Sequence, residues 1–173
     1  LETGEMKRTQ AVATPSPAMD ISVPSNFDRL IFEVSGRDGD LVRATYGQYA
    51  QSGEAQLPDT IHGPLNCTGL GAVAVSNQAT LEDMRRVLAE TDWLICPHTA
   101  GGTYAAQHLP KTDAATVVLS TAHAAKFPET VLEATGRDAP LPERCANLTD
   151  RGEQFEIIEA DIGIVREIIS SAR

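Results

Sequence analysis

The sequence predicts an α/β fold with a mostly parallel sheet and helices on both of its faces. Residues 71–173 alternate between short apolar runs and segments with helical periodicity, in the order β-α-β-α-β-α-β-α. This alternation favours a parallel sheet covered by helices. The chain has 173 residues, of which 42% are hydrophobic. A chain of this length and composition can bury a substantial core, which excludes a disordered protein.

Three regions are predicted along the chain. Residues 1–24 contain three prolines and little regular pattern, which is typical of an extended connector. Residues 25–70 form a helical segment, and residues 71–173 form the α/β region. The chain begins with Leu1, and its first residues resemble the end of one element more than the opening of a domain. We therefore expect the chain to be a fragment of a longer protein.

Two helices and a short strand are predicted in the helical segment. Ser25 is followed three residues later by Asp28, which is a capping-box-like start. Gly36 is a typical residue just past a helix end. The predicted elements are a helix over residues 25–36, a helix over residues 38–53 and a strand over residues 55–57.

The α/β region is predicted from four apolar runs and the helices that follow them. Thr80 is the expected cap of the first of these helices, with Asp83 completing the box. Pro128 in a first turn and Gly136 past a helix end delimit another helix, and Asp161 is expected to cap the last one. The predicted strands are 71–76, 92–96, 114–121 and 154–160. The predicted helices are 81–91, 98–109, 127–136 and 162–172, with a short one at 141–147.

Composition excludes several classes of function. The net charge is −10 and the pI is about 4.8. An acidic chain is a poor partner for a nucleic-acid backbone or an anionic membrane, although acidity also simply aids solubility. No apolar run reaches the length of a membrane span, and no positively charged start leads into an apolar signal core. The three separated cysteines form no zinc or redox motif, so we expect a reducing, cytoplasmic compartment and no metal.

Two turns carry the side chains that could do chemistry. "CPHTAGG", residues 96–102, and "STAHAAK", residues 120–126, each follow a predicted strand. Ligands of open α/β sheets bind beyond the carboxyl ends of strands, beside helix N-termini. The residues alone predict an anion or small-molecule site here, with helix caps and turn residues as the structural alternative. The side chains available are His98, Thr99, Ser120, Thr121, His123 and Lys126.

Four blocks of the sequence resemble the C-terminal part of the threonine synthase family. "CPHTAGG" is similar to that family's D-P-H-T/S-A segment, and "STAHAAKFPETV" to its A-T-A-H-P-A-K-F-P-E segment. "SPAMDISVPSNFDRLIFEVSGRDG" resembles its S-P-x-M-D-I…P-S-N-F-E-R stretch. "LETGEMKRTQAVATPSPAMDI" resembles the connector before that stretch, so the resemblance covers nearly the whole chain.

The resemblance implies a pyridoxal 5'-phosphate enzyme of the second fold type, which is tryptophan synthase β-like. The family converts O-phospho-L-homoserine and water into L-threonine and phosphate. Its Schiff-base lysine lies in an S-F-K-D motif and its cofactor phosphate in a G-N-F-G loop, and neither motif occurs in this sequence. The chain by itself is therefore expected to be inactive, to contain no catalytic residue of its own, and to need the missing N-terminal part of the enzyme.

The same resemblance implies roles for individual residues. Thr99 matches the hydroxyl that faces the pyridine nitrogen of the cofactor, and His98 lies beside it. Lys126 does not match the Schiff-base lysine, so it is either a cation for the substrate phosphate or a packing residue. Ser25 is equally explained as a helix cap. The substrate-side candidates, which include a helix N-terminus suited to an anion, are Ser25, Asn26, Arg29, His123 and Lys126.

The departures from the family pattern leave two alternatives open. Cys96 stands where the family has Asp, Ala124 where it has Pro, and "AGG" replaces A-V-A/G. These changes lie close to Thr99. They fit ordinary variation within the family, and equally a non-catalytic α/β binding remnant. A threonine-synthase-like phospho-lyase, which uses the same fold on another phosphorylated amino acid, is the further alternative.

Overall fold

The computed structural model describes residues 3–23, 25–111 and 113–172. Within these ranges the chain forms two short strands, three 3₁₀ turns and seven α-helices. The strands are β1 (Glu5–Lys7) and β2 (Glu54–Gln56), and the turns are Pro17–Met19, Ala124–Lys126 and Glu143–Cys145. The helices are α1 (Phe27–Val34), α2 (Gly39–Ser52), α3 (Asp59–Asn66), α4 (Asn77–Thr91), α5 (Pro97–His108), α6 (Pro128–Thr135) and α7 (Ile162–Ser171).

The first apolar core lies between α1, α2, α3 and the strand pair. β1 and β2 are antiparallel with Met6 opposite Ala55, and both side chains turn inward. The Asp38 carboxylate caps α2 by accepting hydrogen bonds from two backbone N–H groups at 3.0 Å. Gly53 ends α2 with φ of +79°, a conformation that glycine adopts without strain. The buried members of this core are Met6, Ile31, Tyr49, Ala55, Leu57, Ile61 and Leu65.

The second apolar core lies where α4 packs against α5 and α6. Ala100 from the start of α5 and Ala124 from the loop before α6 are both part of it. The two turns that the sequence singles out therefore meet in one packed cluster. Its buried members are Met84, Val87, Ile95, Ala100, Ala124, Val131 and Ala134.

A buried carboxylate joins α4 to α5. Asp83 is only 4% exposed, and its oxygens accept hydrogen bonds from Arg86 Nε at 2.9 Å and Gln107 Nε2 at 2.7 Å. The Thr103 hydroxyl also donates to Asp83. Since Thr103 and Gln107 lie on one face of α5, this network fixes the rotation of α5 about its own axis and its position along α4.

The predicted parallel sheet is not formed within the described residues. Residues 71–76, 92–96, 114–121 and 154–160 are neither helical nor paired as strands. A strand is defined by hydrogen bonds to a neighbouring backbone, and these apolar runs find no such neighbour. Some of their side chains are buried, as Ile95 and Cys96 are, but others lie in solvent, with Val117 81% and Leu119 75% exposed.

Two predicted helix caps are wrong, whereas Asp161 is confirmed as one. α4 begins a turn earlier than predicted, with Ser76 Oγ accepting from Ala79 N at 3.1 Å, so Thr80 lies inside the helix. Ser25 is exposed in the turn before α1 and caps nothing, because the cap position belongs to Asn26. Asp161 Oδ1 accepts from Gly163 N at 2.7 Å.

The helices of the first region are largely confirmed. α1 and α2 lie inside the predicted ranges 25–36 and 38–53. β2 overlaps its predicted range, 55–57, but is shifted by one residue toward the N-terminus. No pattern in the sequence predicted α3. β1 lies within residues 1–24, which were predicted to be a connector without regular structure.

The chain divides into two compact units, Leu1–Ala139 and Pro140–Arg173. The second unit contains the 3₁₀ turn Glu143–Cys145 within the predicted short helix, and it ends with α7. No helix in the described ranges combines the length and the apolar character that a membrane crossing requires. The predicted region boundaries at residues 24 and 70 stay predictions.

The Asp83 network leads to a prediction about stability. Asp83→Ala should lower the free energy of unfolding by about 3 kcal/mol, because three donors lose an acceptor that is almost fully buried between α4 and α5. Asp40→Ala is the matched control: Asp40 also pairs with an arginine three residues on, but its side chain is 89% exposed. The control should cost less than about 1 kcal/mol. Urea unfolding followed by circular dichroism measures both, and equal costs would contradict the assigned role of Asp83.

The exposed apolar run leads to a prediction about association. An unpaired backbone flanked by exposed Val117 and Leu119 is a template for pairing with another chain. The 173-residue chain should therefore show a mass above 18.5 kDa that rises with concentration in sedimentation. Val117→Ser with Leu119→Ser should shift the chain toward monomer, whereas Val12→Ser with Ile21→Ser should not. A monomer at every concentration, with cooperative unfolding at high temperature, would refute this.

Candidate functional site

Thr99 lies buried in the first turn of α5. Pro97 begins the helix, where its missing N–H costs nothing. Cys96 precedes it as the cap residue, and its Sγ accepts from Thr99 N at 3.4 Å. The Thr99 hydroxyl lies 3.2 Å from Cys96 Sγ and donates to Ser120 Oγ at 3.5 Å. At 4% exposure, Thr99 presents a neutral hydroxyl in a turn sheltered from water.

A glycine in α5 allows a close contact near Thr99 and Ser120. A Cβ at Gly102 would lie 2.9 Å from Val118 Cγ1, which is too close for two carbon atoms. The missing side chain therefore lets the Val118 side chain pack directly on α5. The predicted turns at residues 96–102 and 120–126 lie together, as expected.

His98 makes two contacts that its position in the sequence did not indicate. Its Nδ1 is hydrogen-bonded to Ser16 Oγ, on the connector. Its ring meets the Phe127 ring edge-on, with centroids 4.7 Å apart and an interplanar angle of 83°. Neither Ser16 nor Phe127 was a site candidate, although both belong to blocks that carry the family resemblance. His98 and Thr99 are adjacent in sequence but face different surroundings.

His123 and Lys126 lie on the loop between Ser120 and α6. The Nδ1 atom of His123 accepts from Ala125 N at 3.1 Å and so caps the short 3₁₀ turn. Lys126 closes that turn with a backbone hydrogen bond to His123 O at 3.1 Å, and its side chain is exposed. The histidine contact is the kind expected of a structural residue, while the lysine leaves a cation in solvent at the edge of the loop.

Ser25, Asn26 and Arg29 are exposed at the start of α1. Among the described residues, no hydrogen bond or ion pair joins them to the turns around Thr99. The structure therefore groups the candidates in two places instead of one.

The first turn of α1 contains a buried polar atom. Among the described residues, Asp28 Oδ1 is buried without a hydrogen-bond partner. Burial raises the pKa of Tyr46 to about 12, and the negative charge of Asp28 adds to this rise. Asp28 therefore turns a carboxylate oxygen inward, whereas Arg29 on the same turn is exposed.

The groups around Thr99 limit the chemistry that this turn can do. Its hydrogen-bond partners are a thiol and a hydroxyl, and both are neutral donors or acceptors. In the part of the chain that the structure describes, no group of His, Cys, Asp and Glu side chains is placed to hold a metal ion. The turn can offer hydrogen bonds to a polar group, and proton transfer would have to come from other groups.

Three comparisons with known proteins all match this chain to threonine synthases. The family model described as "Threonine synthase, C-terminal" matches residues 99–169. A threonine synthase of Pseudomonas aeruginosa is 34% identical over 157 residues, which are 90% of this chain and 33% of that protein. "Threonine synthase-like 2" of Homo sapiens is 35% identical over 138 residues, which are 78% of this chain and 28% of that protein.

The backbone is also shared with a solved structure. The pyridoxal-phosphate-bound threonine synthase of Brucella melitensis superimposes with a TM-score of 0.83 and 34% sequence identity, over 98% of this chain and 36% of that chain. The chain spans about a third of the length of the curated relatives it matches. The matched model, the identity over most of the chain and the common backbone together show that the chain belongs to the threonine synthase family and carries its C-terminal region.

Proposed function

We propose that this chain is the C-terminal part of an enzyme that converts O-phospho-L-homoserine and water into L-threonine and phosphate with pyridoxal 5'-phosphate. The observation that carries the proposal is the buried Thr99 hydroxyl at the start of α5, within 3.5 Å of Ser120 and 3.2 Å of Cys96. Family membership supplies the reaction. The whole enzyme's activity rests on more residues than this chain contains.

The surroundings of Thr99 fit the ring of that cofactor. When bound, pyridoxal phosphate supplies an electron sink for proton removal at Cα and Cβ of the substrate and for loss of its phosphate. Thr99 would hold the pyridine nitrogen with a hydroxyl instead of a carboxylate, which leaves that nitrogen unprotonated. The low exposure of Thr99 excludes competing water, so its hydrogen bond is stronger than it would be at the surface.

The exposed polar residues are proposed to serve the substrate. Lys126 is a cation on a short loop, suited to meeting a phosphate. His123 holds the shape of that loop through its hydrogen bond to Ala125 N. Asn26 and Arg29, with Ser25, would offer hydrogen bonds and a positive charge at the start of α1.

Catalysis is proposed to need residues outside this sequence. The three lysines, Lys7, Lys111 and Lys126, all lie outside an S-F-K-D motif, and no G-N-F-G loop occurs. The 173-residue chain alone should therefore produce no threonine. The three free cysteines support a reducing compartment, and we propose the cytoplasm.

A second candidate is a threonine-synthase-like phospho-lyase that uses the same fold on another phosphorylated amino acid. "Threonine synthase-like 2" of Homo sapiens matches this chain at 35% identity, as well as the bacterial synthase does. That name states a likeness to threonine synthase and no reaction, so family membership leaves both candidates open. Product analysis of the full-length protein separates the two, since only the first forms L-threonine from O-phospho-L-homoserine. A non-catalytic binding remnant would form no product from O-phospho-L-homoserine or from another phosphorylated amino acid.

The proposed role of Thr99 can be tested in the full-length protein. Thr99→Val keeps the shape of the side chain and removes its hydroxyl, so kcat/KM should fall about ten- to a hundredfold, the cost of one lost hydrogen bond in a buried site. Thr99→Ser retains the hydroxyl and should stay within about threefold of the parent. Steady-state kinetics and the absorption spectrum of bound pyridoxal phosphate are the measurements. A Thr99→Val protein with unchanged kinetics and spectrum would contradict the proposed contact between the Thr99 hydroxyl and the pyridine nitrogen.

A further inference from the structure

His98 is directed away from the group that Thr99 is proposed to hold. Successive residues of a helix project about 100° apart, and here the two side chains have different surroundings. Thr99 is buried against Cys96 and Ser120, while half-buried His98 contacts Ser16 and Phe127. Any role of His98 therefore depends on its contacts with Ser16 and Phe127.

The first contact ties His98 to a small closed loop. Thr14 donates to Asp20 twice, from its hydroxyl at 2.6 Å and from its backbone N at 2.9 Å, which closes residues 14–20 into a ring. Within it, Ser16 N donates to Thr14 Oγ1 at 3.1 Å, and Ser16 O accepts from Met19 N at 2.8 Å. The loop is therefore ordered by its own hydrogen bonds, and Ser16 presents its hydroxyl to the imidazole from a fixed position.

Charge supports the same arrangement. The hydrogen bonds from Thr14 lower the pKa of Asp20, and the nearby His98 lowers it further. Asp20 is thus ionised and within electrostatic reach of the imidazole. The other end of the connector is anchored to the first core, because the Tyr49 hydroxyl donates to Ser22 O at 2.6 Å.

The second contact ties His98 to the loop that carries His123 and Lys126. Phe127 ends the 3₁₀ turn Ala124–Lys126 and precedes α6. Its edge-on contact with the imidazole is a preferred aromatic geometry. One side chain therefore touches the connector and the loop after Ser120 while belonging to the first turn of α5.

We propose that His98 is a positioning residue, with Ser16 as its partner: the imidazole locks the loop of residues 14–20 and the Lys126 loop against the first turn of α5, and so fixes where the Thr99 hydroxyl points. This inference rests on the proposed function of Thr99. It assigns Ser16 and Phe127 to the site, and it gives His98 an indirect role in place of contact with the cofactor.

The test uses four single variants, one control and one double variant of the full-length protein. Ser16→Ala and His98→Phe each remove the hydrogen bond, and the phenylalanine keeps a ring against Phe127. Ser16→Thr and His98→Asn retain a hydroxyl and a polar group near the Nδ1 position, so they are the rescue variants. Ser22→Ala is the matched control on the same connector, since its backbone oxygen, and not its hydroxyl, is used.

The disrupting variants should lower kcat about tenfold, because a displaced group loses its alignment with the reacting centre. KM should change less than about twofold, and the absorption spectrum of bound pyridoxal phosphate should shift. In the cofactor-free protein, the Thr99 and Ala100 amides should exchange about tenfold faster. The double variant Ser16→Ala with His98→Phe should be no worse than either single change, since both remove one bond.

Two outcomes would overturn the inference. If both disrupting variants keep the parental kcat and spectrum while Thr99→Val loses activity, the hydrogen bond does not position Thr99, and the proposed function survives. If the amides of all of α5 exchange faster and the rescue variants fail as badly as the disrupting ones, His98 is a general stability residue. Unchanged kinetics in Thr99→Val would instead show that the underlying proposal for Thr99 has failed.

Discussion

The contact between Asp83 and α5 is the constraint on which the second core and its candidate site depend. Thr103 and Gln107 bring two turns of α5 to a carboxylate that is almost fully buried on α4. A buried carboxylate is tolerated only when its oxygens are satisfied, so α5 has little freedom to rotate or slide. Thr99 lies one turn before Thr103, and its position follows from the same contact. The helix pair therefore sets where the turn lies, and the residues of the turn act from that place.

Local signals were sufficient for much of the helical structure. Asp38 and Asp161 cap helices with oxygens that reach their own backbone within three residues, and Gly53 and Gly136 end helices in the left-handed conformation. Such devices act over a few residues and can be found in a sequence. The strands were different, because the apolar run around Val117 and Leu119 becomes a strand only beside another strand. The sequence shows the apolar character of such a run but not its partner.

The candidate site, too, could be predicted only in part from the sequence. Residue types at two turns pointed to Thr99, and the resemblance to a family gave its role. No sequence pattern joins Ser16 to His98, since 82 positions separate them. Nor did any pattern reveal that Gly102 is needed for the approach of Val118. Contacts of this kind depend on how whole elements pack, and packing is decided by the complete set of side chains between them.

Cys96 illustrates how a departure from the family pattern can be accommodated. The family has Asp at this position, and a carboxylate is the stronger helix cap. Here the residue is fully buried, and its sulfur lies 3.4 Å from Thr99 N and 3.2 Å from the Thr99 hydroxyl. A thiol costs far less to bury than an unpaired carboxylate and leaves no charge beside Thr99. The exchange weakens the cap and leaves the first turn of α5 without a negative charge beside the Thr99 hydroxyl.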